Sequence, residues 1–123
     1  MLNSISANAI SSANSCVIRN NRVDGGAGGI SCSANAIVSD NNCLSTSGSG
    51  INASGSYNRI ENNQTHFNVF GIQTPPNTTN FVARNVAHGN TNGNFQFNGV
   101  VVSGPTVFGT GTVTNHPWAN FSY

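Results

Sequence analysis

One short phrase recurs four times in this chain and restricts what it can fold into. The phrase is an aliphatic residue, two spacers, an asparagine, one spacer, and a small or apolar residue. It reads Ile18-x-x-Asn21-x-Val23, Val38-x-x-Asn41-x-Cys43, Ile60-x-x-Asn63-x-Thr65 and Val82-x-x-Asn85-x-Ala87. Successive asparagines are 20, 22 and 22 residues apart. A second series, Ala9-Ile10, Gly29-Ile30, Gly50-Ile51 and Gly71-Ile72, runs in phase upstream of each copy. Two series at one period define a repeat architecture.

A unit of 20 to 22 residues is too short for a helix pair with its turns. The copies are rich in Asn, Ser, Gly and β-branched residues and poor in helix formers. Each has room for three short strands and three turns at about 3.3 Å of rise per strand residue. That is one rung of a β-solenoid, in which each rung pairs with its neighbours and like residues stack. The asparagine fits a corner. Its amide both donates and accepts, and it tolerates left-handed backbone angles. Stacked at one corner, Asn21, Asn41, Asn63 and Asn85 form a ladder. Asparagine is abundant, 22 of 123 residues, but four in-phase hits, each three residues after an aliphatic, exceed what abundance explains. Asn68, outside the phrase, reads as an ordinary turn residue.

Gly-Ile, a spacer, then apolar-x-x-Asn-x-apolar resembles the repeat of right-handed parallel β-helix proteins, the pectate-lyase-like superfamily. The resemblance spans residues 9–92. It implies an all-β right-handed parallel β-helix of four to five rungs built from three sheets. Ile10, Ile30, Ile51 and Ile72 would point inward on the first sheet, and Ile18, Val38, Ile60 and Val82 on the second. It implies little about function, because the superfamily holds lyases, hydrolases, epimerases, tailspikes and proteins of no known activity.

The length suits one domain. Residues 1–93 read as rungs. Residues 94–123 read as a last strand and an aromatic, glycine-rich cap over the final rung, with Phe95, Phe97, Phe108, Trp118, Phe121 and Tyr123. Residues 1–8, with Ile5 the one apolar candidate for burial, do not read as a cap. The first rung alone would leave Ile10, Ile18 and Val23 facing nothing, so this face is expected to be covered by upstream sequence, by the first residues folded back, or by a second chain in self-association.

Charged residues are only 6% of the chain, and the net charge is +1. There is no lysine, and the four arginines form no run, so the basic footprint of nucleic-acid binding is missing. No apolar run is long enough for a membrane span. No signal peptide is visible at the start. Cys16, Cys32 and Cys43 fall on inward positions by strand alternation and read as reduced core thiols rather than metal ligands or a nucleophile.

Catalysis finds little support. Glycoside cleavage wants two carboxylates across one bond, and the chain has only Asp24, Asp40 and Glu61. Asp40 and Glu61 fall on successive rungs, one position out of register. The expectation is no catalytic residue, no metal and no cofactor. His66 and His88 share a column with Asp24 and Leu44. With Phe67 and Phe70 they form the candidate binding site, aromatic and polar groups beside a shallow groove that could take a sugar. The function expected is a non-catalytic β-helix module, carbohydrate-associated or structural at the cell surface, with a polysaccharide as partner. Alternatives are a piece of a polysaccharide lyase, hydrolase or epimerase, or a self-assembling solenoid. An extracellular or cell-surface setting is implied by the resemblance alone.

Overall fold

The computed structural model describes residues 8–109 and 114–123. Ile5, and Gly111 of the glycine-rich tail, lie outside the described residues. The chain winds through five rungs of three strands. Rung one is β1 (Asn8–Ser12), β2 (Val17–Arg19) and β3 (Arg22–Asp24). Rung two is β4 (Gly28–Cys32), β5 (Ile37–Ser39) and β6 (Asn42–Leu44). Rung three is β7 (Ser49–Ala53), β8 (Arg59–Glu61) and β9 (Gln64–His66). Rung four is β10 (Phe70–Thr74), β11 (Thr79–Ala83) and β12 (Val86–His88). Rung five is β13 (Gly93–Phe97), β14 (Val100–Ser103) and β15 (Thr106–Phe108), and β16 (Asn120–Ser122) follows. First strands stack as one sheet, β1-β4-β7-β10-β13, and second strands as another, β2-β5-β8-β11-β14. All pairings are parallel. The fold is a parallel β-helix.

The core is three columns. Ile10, Ile30, Ile51 and Ile72 stack in register on the first sheet, followed by Phe95. Ile18, Val38, Ile60 and Val82 stack on the second, and Val23, Cys43, Thr65 and Ala87 on the third. From Ile30 to Val82 these aliphatics are essentially inaccessible, and fully burying each is worth about 1.5–3 kcal/mol. Cys32 and Cys43 are buried and Cys16 half-buried, all three reduced. Burial pushes the Cys32 and Cys43 thiols up to about 12.

All three corners carry side-chain ladders. At the second, Oδ1 of Asn41 accepts from both the main-chain N–H and the Nδ2 of Asn21, at 3.1 and 3.0 Å. Asn63 does the same for Asn41, and Asn85 for Asn63. The Nδ2 atoms of Asn41, Asn63 and Asn85 also donate back to an aliphatic carbonyl one rung earlier, as Asn63 does to Val38 at 2.9 Å. The left-handed angles fall one residue earlier than the sequence suggested. Asn20, Asp40, Asn62 and Arg84 have φ of 58°, 58°, 58° and 57°. One residue makes the bend, and the next, the asparagine, ties it to the neighbouring rung.

Two further ladders correct the reading of Asn68. At the third corner, Oδ1 of Asn68 accepts from the N–H and Oγ1 of Thr46 at 3.0 and 2.9 Å. Its Nδ2 donates to Cys43 O and to Oδ1 of Asn90. Asn68 is 1% exposed and is a ladder residue rather than an ordinary turn residue. At the first corner, Asn58 and Asn80 accept from the N–H of Ala36 and Asn58.

The two ends depart from the regular repeat. Residues 93–108 complete a fifth rung, whose Phe95, Phe97 and Val101 pack against the core. β16 is inserted into the third sheet between β12 and β15, giving the order β3-β6-β9-β12-β16-β15. Trp118 and Tyr123 consequently sit on the flanks, 49% and 45% exposed. At the other end, Ile18 and Val23 are buried, 7% and 4% exposed. Ile10 is half-buried and lines an open hollow with Ile18, Arg19 and Asn21.

Candidate functional site

The third sheet presents one outward column whose last three members are rings. Asp24 pairs with Leu44, Leu44 with His66, and His66 with His88. The next position, just past the end of β16, is Tyr123. The His66 and His88 ring centroids are 6.1 Å apart, and those of His88 and Tyr123 are 5.1 Å apart. Phe67 joins from the adjacent corner, 5.5 Å from His88 and edge-on to it. Insertion of β16 is what brings Tyr123 to this ledge.

Phe67 is an unusual choice for its position. It has φ 56°, in the left-handed region. The equivalent positions on other rungs are Gly25, Ser45 and Gly89. A bulky residue there is disfavoured by roughly 1–2 kcal/mol. Its ring is nevertheless 62% exposed. Gly89 makes the room, since a Cβ at that position would lie 2.9 Å from Cδ1 and Cε1 of Phe67.

One polar group of the ledge is fixed. His88 Nδ1 lies 2.6 Å from the main-chain oxygen of Tyr123. That oxygen can only accept, so Nδ1 carries the proton, and in the neutral ring Nε2 is left as an acceptor. Burial first, and then the neighbouring His88, pushes the His66 pKa below its ordinary value. The ledge therefore offers aromatic faces, imidazole nitrogens and a phenol, with no carboxylate side chain among its four rings.

Of the four binding residues read from the sequence, the structure brings together His66, Phe67 and His88. Phe70 lies around the corner on the first sheet, paired with Ser49 and Gly93, and makes no ring contact with the other three. Tyr123, read from the sequence as part of the terminal aromatic cluster, was not placed beside them because the repeat stops long before it.

The acids do not converge. Asp24 pairs with Arg22 at 3.2 Å, both exposed. Glu61 is clamped between Arg59 and Arg84. Hydrogen bonding to Arg59 is the main cause of its lowered pKa. Asp40 makes the left-handed bend before Asn41 and sits one position past Ser39, the partner of Glu61. Among the described residues, no three His, Cys, Asp or Glu side chains gather as a metal set. No helix of the described residues is long and apolar enough to cross a membrane.

A second surface was not read from the sequence at all. Val17, Ile37, Arg59, Phe81 and Val102 form an outward column along the whole second sheet. The signal was present as apolar doublets, Val17-Ile18, Ile37-Val38 and Phe81-Val82, where strand alternation predicts a polar partner for each inward residue.

No protein-family model, curated protein or solved structure matches the chain.

Proposed function

We propose that this chain is a non-catalytic β-helix module that binds a polysaccharide at the His66–Phe67–His88–Tyr123 ledge. The observation that carries the reading is Phe67, an exposed ring held at a backbone angle that disfavours it. Packing within the chain gives little return for that placement, whereas an exposed ring suits contact with a ligand. The apolar face of a sugar ring would stack on Phe67 and Tyr123, and its hydroxyls would meet the His88 Nε2 acceptor and the tyrosine hydroxyl. Absence of turnover fits the separate engagement of the acids, Asp24 with Arg22 and Glu61 with two arginines. An exported or cell-surface setting belongs to the same proposal and rests on the repeat's resemblance to surface β-helices.

A glycan array probed with the purified chain tests this. The expected result is binding of at least one oligosaccharide without cleavage, weakened about tenfold or more in Phe67→Ala and little changed in Phe70→Ala. Cleavage lost in Glu61→Gln, or binding indifferent to Phe67→Ala, would overturn it.

A further inference from the structure

We infer that the hollow on the outer face of the second sheet, across rungs three to five, is a second binding site, and that it takes a small aromatic carboxylate. The hollow holds about 300 Å³ and is lined by Tyr57, Arg59, Asn80, Phe81 and Val102 among others. That volume suits a small molecule. Arg59, Phe81 and Val102 are successive members of one outward column. Trp118 meets the Phe81 ring edge-on at 6.1 Å.

Asn80 sets this hollow apart from a bare apolar patch. It is 2% exposed, and its Nδ2 is a buried donor with no partner among the described residues. The neighbouring rungs explain why. Oδ1 of Asn80 accepts from the main-chain N–H of Asn58 at 3.0 Å, as a ladder residue does. Asn58 turns its own Nδ2 to Gly55 O, three residues back, at 3.0 Å. On rung four that part falls to Thr78, whose Oγ1 donates to Pro75 O at 2.7 Å. Rung four has one residue more than rung three between the paired positions Gln73–Asn52 and Phe81–Arg59, so its turn is out of step with the ladder. On rung five the partner of Asn80 is Val101, which has no side-chain acceptor. Buried donors are nearly always satisfied, and an acceptor on a ligand seated in the hollow would meet this one.

The other lining groups define the rest of the ligand. Tyr57 is 72% exposed at φ 64°. The equivalent bends on rungs one and two are Ser15 and Asn35, both at φ 59°, small polar residues better suited to that angle. Packing within the chain does not account for a tyrosine there. With Phe81 it offers aromatic surface to a planar ring. Charge selects an anion. Arg59 and Arg84 share the single Glu61, which leaves one positive charge in excess. Glu61 accepts from Nε and Nη2 of Arg59. Nη1 makes no hydrogen bond among the described residues, and the guanidinium lies 5.3 Å from the Phe81 ring centroid. A carboxylate can accept from an amide and a guanidinium together. A sugar suits the hollow less, because the Oδ1 atoms of Asn58 and Asn80 are already engaged and few acceptors remain for hydroxyls.

Titration of the nitrogen-15-labelled full chain with sodium cinnamate at neutral pH, followed by nuclear magnetic resonance, tests the site. The side-chain amide signals of Asn80 should move together with the main-chain signals of Tyr57, Arg59 and Phe81, and saturate in the millimolar range. Cinnamyl alcohol, which keeps the ring and lacks the carboxylate, should bind about tenfold or more weakly. Arg59→Gln and Tyr57→Gly should each weaken cinnamate binding about tenfold. Tyr57→Gly also relieves the bend, so a melting curve no lower than the parent's shows that binding is lost and folding is not. An Asn80 amide that stays unmoved at saturation overturns the inference. So does cinnamate binding no tighter than the alcohol's, or binding indifferent to both substitutions. Phe67→Ala should leave the titration unchanged, which separates this result from the fate of the ledge reading.

Discussion

Asn120 supplies, from thirty-five residues away, the acceptor that closes the ladder at Asn85. Its Oδ1 takes the main-chain N–H of Asn85 at 3.0 Å and its Nδ2 at 3.1 Å. Its own Nδ2 donates to Val82 O at 3.1 Å. These are the same bonds that Asn85 supplies to Asn63, delivered by a segment outside the repeat. The last strand is therefore structural, and it also carries Tyr123 to the ledge.

Asn120→Ala is predicted to destabilise the chain as much as Asn63→Ala, by about 1–3 kcal/mol, because both strand buried donors. Chemical denaturation of the two variants checks this. A near-parent midpoint for Asn120→Ala would mean that β16 frays without consequence.

Asn68→Ala is predicted to fall in the same range as Asn63→Ala, since Asn68 bonds Thr46, Cys43 and Asn90 at a buried corner. Read as a plain turn, it would be nearly silent. Paired melting curves for Asn68→Ala and Asn63→Ala distinguish the two.

The fold was legible because its signal is periodic. In-phase aliphatics placed the columns of Ile30, Val38 and their neighbours, and the recurrent asparagine placed one ladder. The other ladders were hidden because their columns mix residue types, with Thr46 above Asn68 and Ala36 above Asn58. Asn120 was hidden because Pro117 stands where the aliphatic of the phrase belongs, leaving only Asn120-x-Ser122. The same three residues read as a glycosylation pattern, which burial of Asn120 excludes in the folded chain. The ledge was half legible, because register gives His66 beside His88, but an inserted strand has no local signature.

The thiols should report on the rungs that hold them. Cys32 and Cys43 are buried, with pKa raised from 9.0 to about 12, so native alkylation should proceed at the half-buried Cys16 first. Mass-spectrometric peptide mapping over time checks the order. The raised values also mean that stability is whole below pH 9.0 and falls as pH rises toward about 12. Melting temperatures flat across that interval would contradict the burial of both thiols.

His66 gives the opposite slope. Burial and His88 hold its pKa below the ordinary 6.5, so the unfolded chain takes up the proton more readily. Its contribution to stability is whole above pH 6.5 and falls as pH drops through the folded pKa. His66→Gln should flatten the acid side of the melting profile. An unchanged slope would place His66 in open solvent.

The most direct test of the ledge is a nuclear magnetic resonance titration of the labelled chain with an oligosaccharide drawn from the array. The same sample is then analysed for cleavage products. The account predicts shifts concentrated at His66, Phe67, His88 and Tyr123, with the oligosaccharide intact at the end. Shifts concentrated instead along Ser31, Asn52 and Gln73 on the first sheet, with shortened oligosaccharides accumulating, would contradict it.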